Sequence, residues 1–344
     1  MKKINYFKLF ACCITVKGHA RSALYDLQRN SFEYIPNILF DLLEDCKNLS
    51  QADLQVKYLA DEWQGISKFL DYLVENEYGF WTNTPEEFPD LSMQWDHPGK
   101  LTNAIIEYKN GYSPYTIRKV FDALEQLRCS DIQLRLFGNC DFTFIKKIID
   151  SLYGRYFCVI DLLVPYSDKL DVDELLNLMK HEHRIIPLTI YNCTNKDLRN
   201  CIKENDKFLL SRVHITSENF HPGRIKEQVS LGTFYINTEF FTESQNFNTG
   251  LNRKLCIDID GNLKNHILHK TVFGNIGKDK PATIIDSASF QKQWKIKNDN
   301  IEICRVCEHR YMCMHNSEII YKKGKAYKKQ MCNYDPYTQT WEEE

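Results

Sequence analysis

A chain of 344 residues has room for two to three domains and a large buried core. Hydrophobic residues at 43% and charged ones at 26% exclude a disordered or fibrous chain, and a net charge of −2 provides no global basic field for nucleic acid. No run of about 18 apolar residues offers a membrane helix, and an odd count of 13 cysteines excludes complete internal disulfide pairing.

The first twelve residues combine lysines with a short apolar run ending at Cys12, but Lys8 breaks that run below the roughly 7–15 residues of an export signal. The expectation is a cytoplasmic chain, where clustered cysteines bind metal rather than pair. Residues 5–35 read as strands: Phe7, Leu9 and Ala11 alternate, then Ala23, Tyr25 and Leu27, with a return strand through Phe32 and Tyr34 after the turn at Arg29-Asn30. Pro36 opens a helix carrying Ile38, Leu39, Leu42 and Leu43, and Ser50 with Asp53 forms a capping pair for a second. A third carries Ile66, Phe69, Leu70, Leu73 and Val74, stops at Gly79 and is followed by an extended Phe80-Trp81.

This order resembles a small winged-helix module, and in particular the RiPP recognition element of enzymes that modify ribosomal peptides. The resemblance implies capture of a leader peptide as an added strand on an open sheet edge. A module that only packs on its neighbour is the alternative. DNA binding is not expected, because Gln64 to Glu77 holds one lysine against three acids. The acidic, proline-bearing stretch 84–90 and His97-Pro98-Gly99 place a boundary near residue 98.

Strands and helices then alternate. Leu101–Tyr108 reads as a strand, and Ser113-Pro114 caps a helix with Ile117, Val120, Phe121, Leu124 and Leu127. Ile132, Leu134 and Leu136 form a strand, and Phe144, Ile145, Ile148 and Ile149 a helix. Phe157–Val164 reads as a buried strand, Asp171 opens a helix with Leu175, Leu176 and Met179, and Ile185–Ile190 is a further strand. Such alternation over about 110 residues argues for a parallel sheet, open or as a partial barrel. No dinucleotide, nucleophile-elbow or zincin motif occurs. His181-Glu182-His183 reads as a solvated helix end, and Cys129, Cys140, Cys158, Cys193 and Cys201 as single buried hydrophobes.

The strongest signal is Cys304-x2-Cys307-x5-Cys313, completed by Cys332 after 18 further residues. Two thiolates two residues apart meet across a turn, a third comes from the same loop, and the fourth from a later segment. Four sulfurs suit zinc or an iron–sulfur cluster about equally. Cys304–Cys313 resembles the core of a SPASM domain, the C-terminal extension of radical SAM peptide-modifying enzymes that binds auxiliary 4Fe–4S clusters. Leu255–Asn265, with its Asp260-Gly261 turn, resembles the preceding hairpin, and Cys332–Trp341 continues the likeness. Over its length the chain is similar to the SPASM-domain peptide maturases of grasp-with-spasm systems, which are encoded beside an ATP-grasp ligase and a precursor peptide.

That resemblance implies an α/β fold in three parts: a winged-helix module at 1–98, a degenerate radical SAM-like partial (β/α) barrel at 99–250, and a SPASM-like cysteine-rich extension at 251–344. Departures from the pattern decide the expected chemistry. The loop after the first barrel strand, Lys109–Pro114, holds no cysteine, and C-x3-C-x2-C occurs nowhere. Independent radical chemistry and S-adenosylmethionine binding are therefore not expected. His266 stands where a first-cluster cysteine belongs, and Met314–Ser317 supplies none after Cys313. Cys256 lies off the first-cluster position and reads as structural. One 4Fe–4S cluster, on Cys304, Cys307, Cys313 and Cys332, is expected, with zinc as the alternative. Five lysines in 322–329 read as a solvated turn, or as charge offsetting the cluster or drawing an acidic peptide. The function implied is an accessory maturase that binds a ribosomal precursor peptide and acts with an ATP-grasp ligase. The alternatives are a radical SAM/SPASM-type enzyme with non-standard cofactor use and a zinc-stabilised interaction module.

Overall fold

The computed structural model describes residues 5–195, 211–226 and 229–342. At the N-terminus, β1 (Tyr6–Leu9) is followed by the antiparallel meander β2 (Cys13–Lys17), β3 (Ser22–Asp26) and β4 (Ser31–Ile35). Three helices, α1 (Asn37–Cys46), α2 (Gln51–Lys57) and α3 (Ala60–Glu75), lead to β5 (Gly79–Thr82), which pairs antiparallel with β1. The alternation expected through Ala11 ends at Leu9. Phe10 N–H bonds Tyr78 and Cys13 N–H bonds Phe10, which turns the chain into β2. All five residues of β3 are buried because both its faces are covered. Leu24 packs with Phe7, Leu42 and Leu70, while Ala23 and Tyr25 pack with Phe241 and Met312 of the C-terminal half.

The capping box of Ser50 and Asp53 forms as expected and starts α2. Two local expectations fail. Ile38 is 68% exposed, because α1 buries the stripe of Leu42, Leu43 and Cys46 instead. Gly79 does not stop α3. That helix ends at Glu75, Glu77 makes the reversal at φ 57°, and Gly79 opens β5, where a Cβ would lie 2.6 Å from the Phe7 ring.

The middle of the chain runs β6 (Asn103–Lys109), α4 (Ile117–Gln126), β7 (Asp131–Phe137), α5 (Phe142–Asp150), β8 (Val159–Pro165), α6 (Val172–His181), β9 (Ile185–Tyr191) and β10 (Val213–Ile215). After α7 (Thr238–Ser244) come β11 (Lys254–Ile257), β12 (Asn262–Lys264) and β13 (Gly274–Asn275). They form one eight-stranded sheet, ordered β10-β9-β8-β7-β6-β11-β12-β13. Strands β6 to β11 run parallel, and β12 and β13 are antiparallel to their neighbours. The fold is thus mixed α/β with a mostly parallel sheet. Because β11 pairs with β6, the sheet runs across the boundary expected at residue 250.

Strand order steps one way from β6 to β10, and α4, α5 and α6 all lie on one face. Val120, Phe121, Leu124, Ile145, Ile148, Leu175 and Met179 interlock there with Ile106, Leu134, Leu136, Leu162 and Val164 in the main core. Helix α4 starts at Ile117 rather than Ser113: Thr116 accepts from Lys119 N–H, and Ser113 Oγ is drawn off to accept from Lys109 N–H. Cys129, Cys140 and Cys193 are buried as expected, Cys158 is exposed just before β8, and Cys201 lies outside the described residues. His181-Glu182-His183 closes α6, with Glu182 paired to Arg184 at 2.6 Å. Among the described residues no helix is long and apolar enough to cross a membrane.

The face away from the helices is polar where strand side chains alternate onto it. Glu107 and Arg135, both almost fully buried, lie 3.7 Å apart. Arg135 Nε donates to Gln133 at 2.5 Å, and Gln133 donates to Asp161 at 2.5 Å. Gly223 N–H bonds Glu107 Oε2 at 2.8 Å, and Phe220 and Ile225 from the same segment pack on Phe137, Leu163 and Tyr191. Burial lifts the Glu107 carboxyl to about 7, against the pull of Arg135. An acid whose folded pKa is raised loses stabilising effect as pH climbs from its unfolded value near 4.3 towards 7. The unfolding free energy of Glu107→Gln relative to wild type is therefore expected to rise by roughly 2–3 kcal/mol between pH 4.5 and pH 7.5. Parallel urea titrations across that range check it, and a constant difference would show that Glu107 ionises normally.

Candidate metal centre

The cysteine loop leaves the core at Ile301, which bridges to Ala326, and passes through Ile303 at φ 71°. That region is costly for a β-branched residue, by about 1–3 kcal/mol. The strain directly precedes a single 3-10 turn at Cys304–Val306, closed by Cys307 N–H on Cys304 O at 3.0 Å. This turn is what brings the first two thiols round to one side. The loop is then pinned by Asn298, which donates to Arg310 O at 2.7 Å, and by Asp299, which accepts from Tyr311 OH and Arg310 Nε. Thr249 holds Cys313 O at 3.0 Å.

Beyond it, β14 (Ile319–Lys322) and β15 (Lys325–Lys328) form a hairpin that delivers Cys332, followed by the small ribbon β16 (Tyr334–Asp335) and β17 (Thr340–Trp341). Alternation along β15 splits the lysine run. Lys325 pairs outward with Glu302, and Lys328 turns inward, 8% exposed, with Nζ on His315 O at 2.5 Å. The solvated-turn reading therefore fails for Lys328 and holds for the exposed Lys322, Lys323 and Lys325.

Cys304, Cys307, Cys313 and Cys332 share one neighbourhood. Burial raises all four thiols, Cys313 to about 12, and neighbouring charge raises three of them further: Cys332 opposes ionisation of Cys304, Cys332 and Cys304 oppose that of Cys313, and Glu308, Cys313 and Cys304 oppose that of Cys307. Lys328 favours the thiolates of Cys304, Cys313 and Cys332. His309 N–H reaches Cys307 Sγ and His315 N–H reaches Cys313 Sγ, each at 3.4 Å. Donors on sulfur, an inward lysine and four softly ligating thiols fit a bound cation centre, whose charge would offset four thiolates. No three of the four sulfurs lie within 4.8 Å of one another. A single tetrahedral zinc, with Zn–S near 2.3 Å, draws its sulfurs to about 3.8 Å.

Cys256 is fully buried in β11, with Sγ on Asn265 O at 3.6 Å and Ile105 and Ile267 around it. His266 is fully buried beside His269, whose ring N contacts Asn316 O at 2.9 Å, and a charge on it would oppose protonation of His315. Burial holds His269 down to about 4 and His315 down to about 3, so both are neutral near pH 7.

Sequence reasoning treated Glu308 and His309 as spacers, yet they anchor the loop. Glu308 is fully buried, accepting from Arg21 Nε at 2.7 Å and from Tyr334 OH at 2.5 Å, while Tyr25 OH bonds its backbone carbonyl at 2.6 Å. His309 meets Tyr34 OH at 2.8 Å inside a ring of Phe32, Phe234, Tyr334 and Trp341. Cys307, Glu308 and His309 also offer ligand atoms within 4.8 Å of one another. Only a Glu-His pair directly after a cysteine hints at this in sequence, and its N-terminal partners Arg21, Tyr25 and Tyr34 lie 275 to 287 positions away.

No protein-family model and no curated protein matches the chain. Among solved structures it is similar to SuiB of Streptococcus suis bound to S-adenosylmethionine, at 8% identity over 90% of this chain and 94% of that one, TM-score 0.31. It is also similar to native anSMEcpe with bound AdoMet and a Cp18Cys peptide, at 9% identity over 69% of this chain and 94% of that one, TM-score 0.33. Likeness this weak carries no argument, and the functional reading rests on the residues above.

Breaking the Arg21–Glu308 pair strands a carboxylate that water cannot reach. Arg21→Met is expected to cost about 2–3 kcal/mol, the solvent-touched side of Arg21 trimming the full buried-pair penalty. Chemical denaturation reads the loss, and an unchanged midpoint would mean that the carboxylate finds another partner.

Proposed function

We propose that this chain is an accessory component of ribosomal peptide maturation, in which a cluster-bearing SPASM-like extension and a leader-binding winged-helix-like module are joined through one loop. The observation that carries the reading is that the loop bearing Cys304, Cys307 and Cys313 is also the dock for the N-terminal meander, through Glu308 and His309. Whatever orders the cysteine loop then orders the peptide-binding unit.

Cys304, Cys307, Cys313 and Cys332 would hold one 4Fe–4S cluster. A cluster is favoured over a single zinc because no three of the sulfurs lie within 4.8 Å of one another, against the about 3.8 Å that zinc imposes. The cluster would supply a covalent brace between the loop and the Cys332 tail. The N-terminal unit has an edge suited to an extended peptide: β1 pairs only with β5 among the described strands. A cavity of about 460 Å³ runs beside it, lined by Phe7, Leu9, Ile14 and Leu43. Backbone groups on such an edge supply affinity and the apolar wall supplies side-chain selection. The parallel sheet acts as scaffold, with the strand ends closed by Phe220 and Ile225. Bond formation belongs in this reading to an ATP-grasp ligase, which activates a carboxylate as an acyl phosphate for ester or amide formation.

Co-expression with a neighbouring precursor peptide and ATP-grasp ligase tests the proposal. Mass spectrometry is expected to find a water-loss product that forms only when this chain is present, and fluorescence anisotropy to find binding of the precursor by the purified chain. Full dehydration without the chain, or no precursor binding, would overturn it. Formation of deoxyadenosine from S-adenosylmethionine by the reconstituted protein would favour an active radical enzyme instead.

A further inference from the structure

A second thiol site lies in the turn that joins β1 to β2, far in sequence from the C-terminal quartet and independent of the peptide reading. Adjacent side chains in a strand point to opposite faces, but Cys12 sits in the turn and Cys13 opens β2. Their sulfurs consequently fall on the same side, 3.9 Å apart. The carboxylate of Asp26, opposite Cys13 in the β2–β3 register, completes a group of three ligand atoms within 4.8 Å of one another.

The carboxylate is prepared rather than free to swing. Asp26 is 2% exposed and is held by the backbone N–H groups of Gln28 and Arg29 at 3.1 and 2.9 Å and by the Arg29 guanidinium at 3.2 Å. Gln28 adds a neutral oxygen, its Oε1 accepting from Cys12 Sγ at 3.7 Å. Access is open from two sides, since Cys12 is half-buried and Cys13 forms part of the wall of the cavity of about 460 Å³ beside β1.

The geometry points to a binding site for one soft divalent cation of the zinc type at Cys12, Cys13 and Asp26. Two sulfurs bound to one tetrahedral zinc at about 2.3 Å stand about 3.8 Å apart, so the observed pair needs almost no movement to chelate. Thiolate ligands select such an ion over magnesium or calcium, which prefer all-oxygen shells. Binding forms two metal–sulfur bonds and one metal–oxygen bond and releases the thiol protons to solvent; no oxidant or reductant is required. Gln28 Oε1, which already meets Cys12 Sγ, or a water would take the fourth place. The ion would fix the β1–β2 turn, which joins the β1–β5 ribbon to the meander.

Zinc titration of full-length protein, with the C-terminal centre already loaded, against a chromophoric chelator tests the site. One further equivalent of Zn²⁺ per chain is expected, weakened at least tenfold by Cys12→Ser and unchanged by Cys158→Ser at an exposed, distant cysteine. Alkylation mapped by mass spectrometry gives a reading that does not depend on the variants: zinc should protect Cys12 and leave Cys158 reactive. Absence of a further equivalent, wild-type affinity in Cys12→Ser, or equal labelling of Cys12 with and without zinc would overturn the assignment.

Discussion

The carboxylate of Glu308 is the contact on which the rest of the molecule depends. It is fully buried, with Arg21 and Tyr334 both donating to its Oε1 and Tyr25 to its own backbone carbonyl. A buried carboxylate is stable only while its partners stay in place. The N-terminal meander, the cysteine loop and the C-terminal ribbon are therefore fixed to each other by one group. His309 extends the same contact with an aromatic enclosure, so polar specificity and apolar area act at neighbouring positions.

This arrangement places the cysteine quartet at a structural crossroads. Cys304, Cys307 and Cys313 lie on a loop held from the N-terminal side by Arg21 and Tyr25 and from the sheet side by Thr249 and Asn298, and Cys332 arrives from a hairpin that also brings Lys328. Burial makes the four thiols resist ionisation, and crowding adds to this at Cys304, Cys307 and Cys313. A cation centre reverses that balance, because each thiolate is then stabilised by the metal instead of opposed by its neighbours. The inward turn of Lys328 is the protein's own partial answer to the same charge.

Local signals in the sequence carried most of the architecture. The capping box at Ser50 and Asp53, the Asp171 cap of α6 and the apolar stripes of α4 and α5 all depend on residues within a turn of each other, and each formed as expected. What stayed hidden depends on distant partners. Nothing within β3 shows that both its faces are covered, since Phe241 and Met312 lie more than 200 residues away. Ser113-Pro114 carries a good capping signature, but Lys109 N–H competes for the serine and Thr116 takes over the cap. In the site, spacing singles out the four cysteines as candidate ligands, whereas the anchoring by Glu308 and His309 and the inward turn of Lys328 leave no such local signal. Their roles are set by Arg21, Tyr34 and His315 across the fold.

The most direct measurement is the iron, acid-labile sulfide and zinc content of protein purified and reconstituted without air, for wild type and Cys332→Ser. About four irons and four sulfides per chain are expected in the wild type, with the cluster lost or unstable when Cys332 is replaced. Zinc in place of iron at the C-terminal centre, or a full cluster that survives Cys332→Ser, would contradict a 4Fe–4S centre on Cys304, Cys307, Cys313 and Cys332.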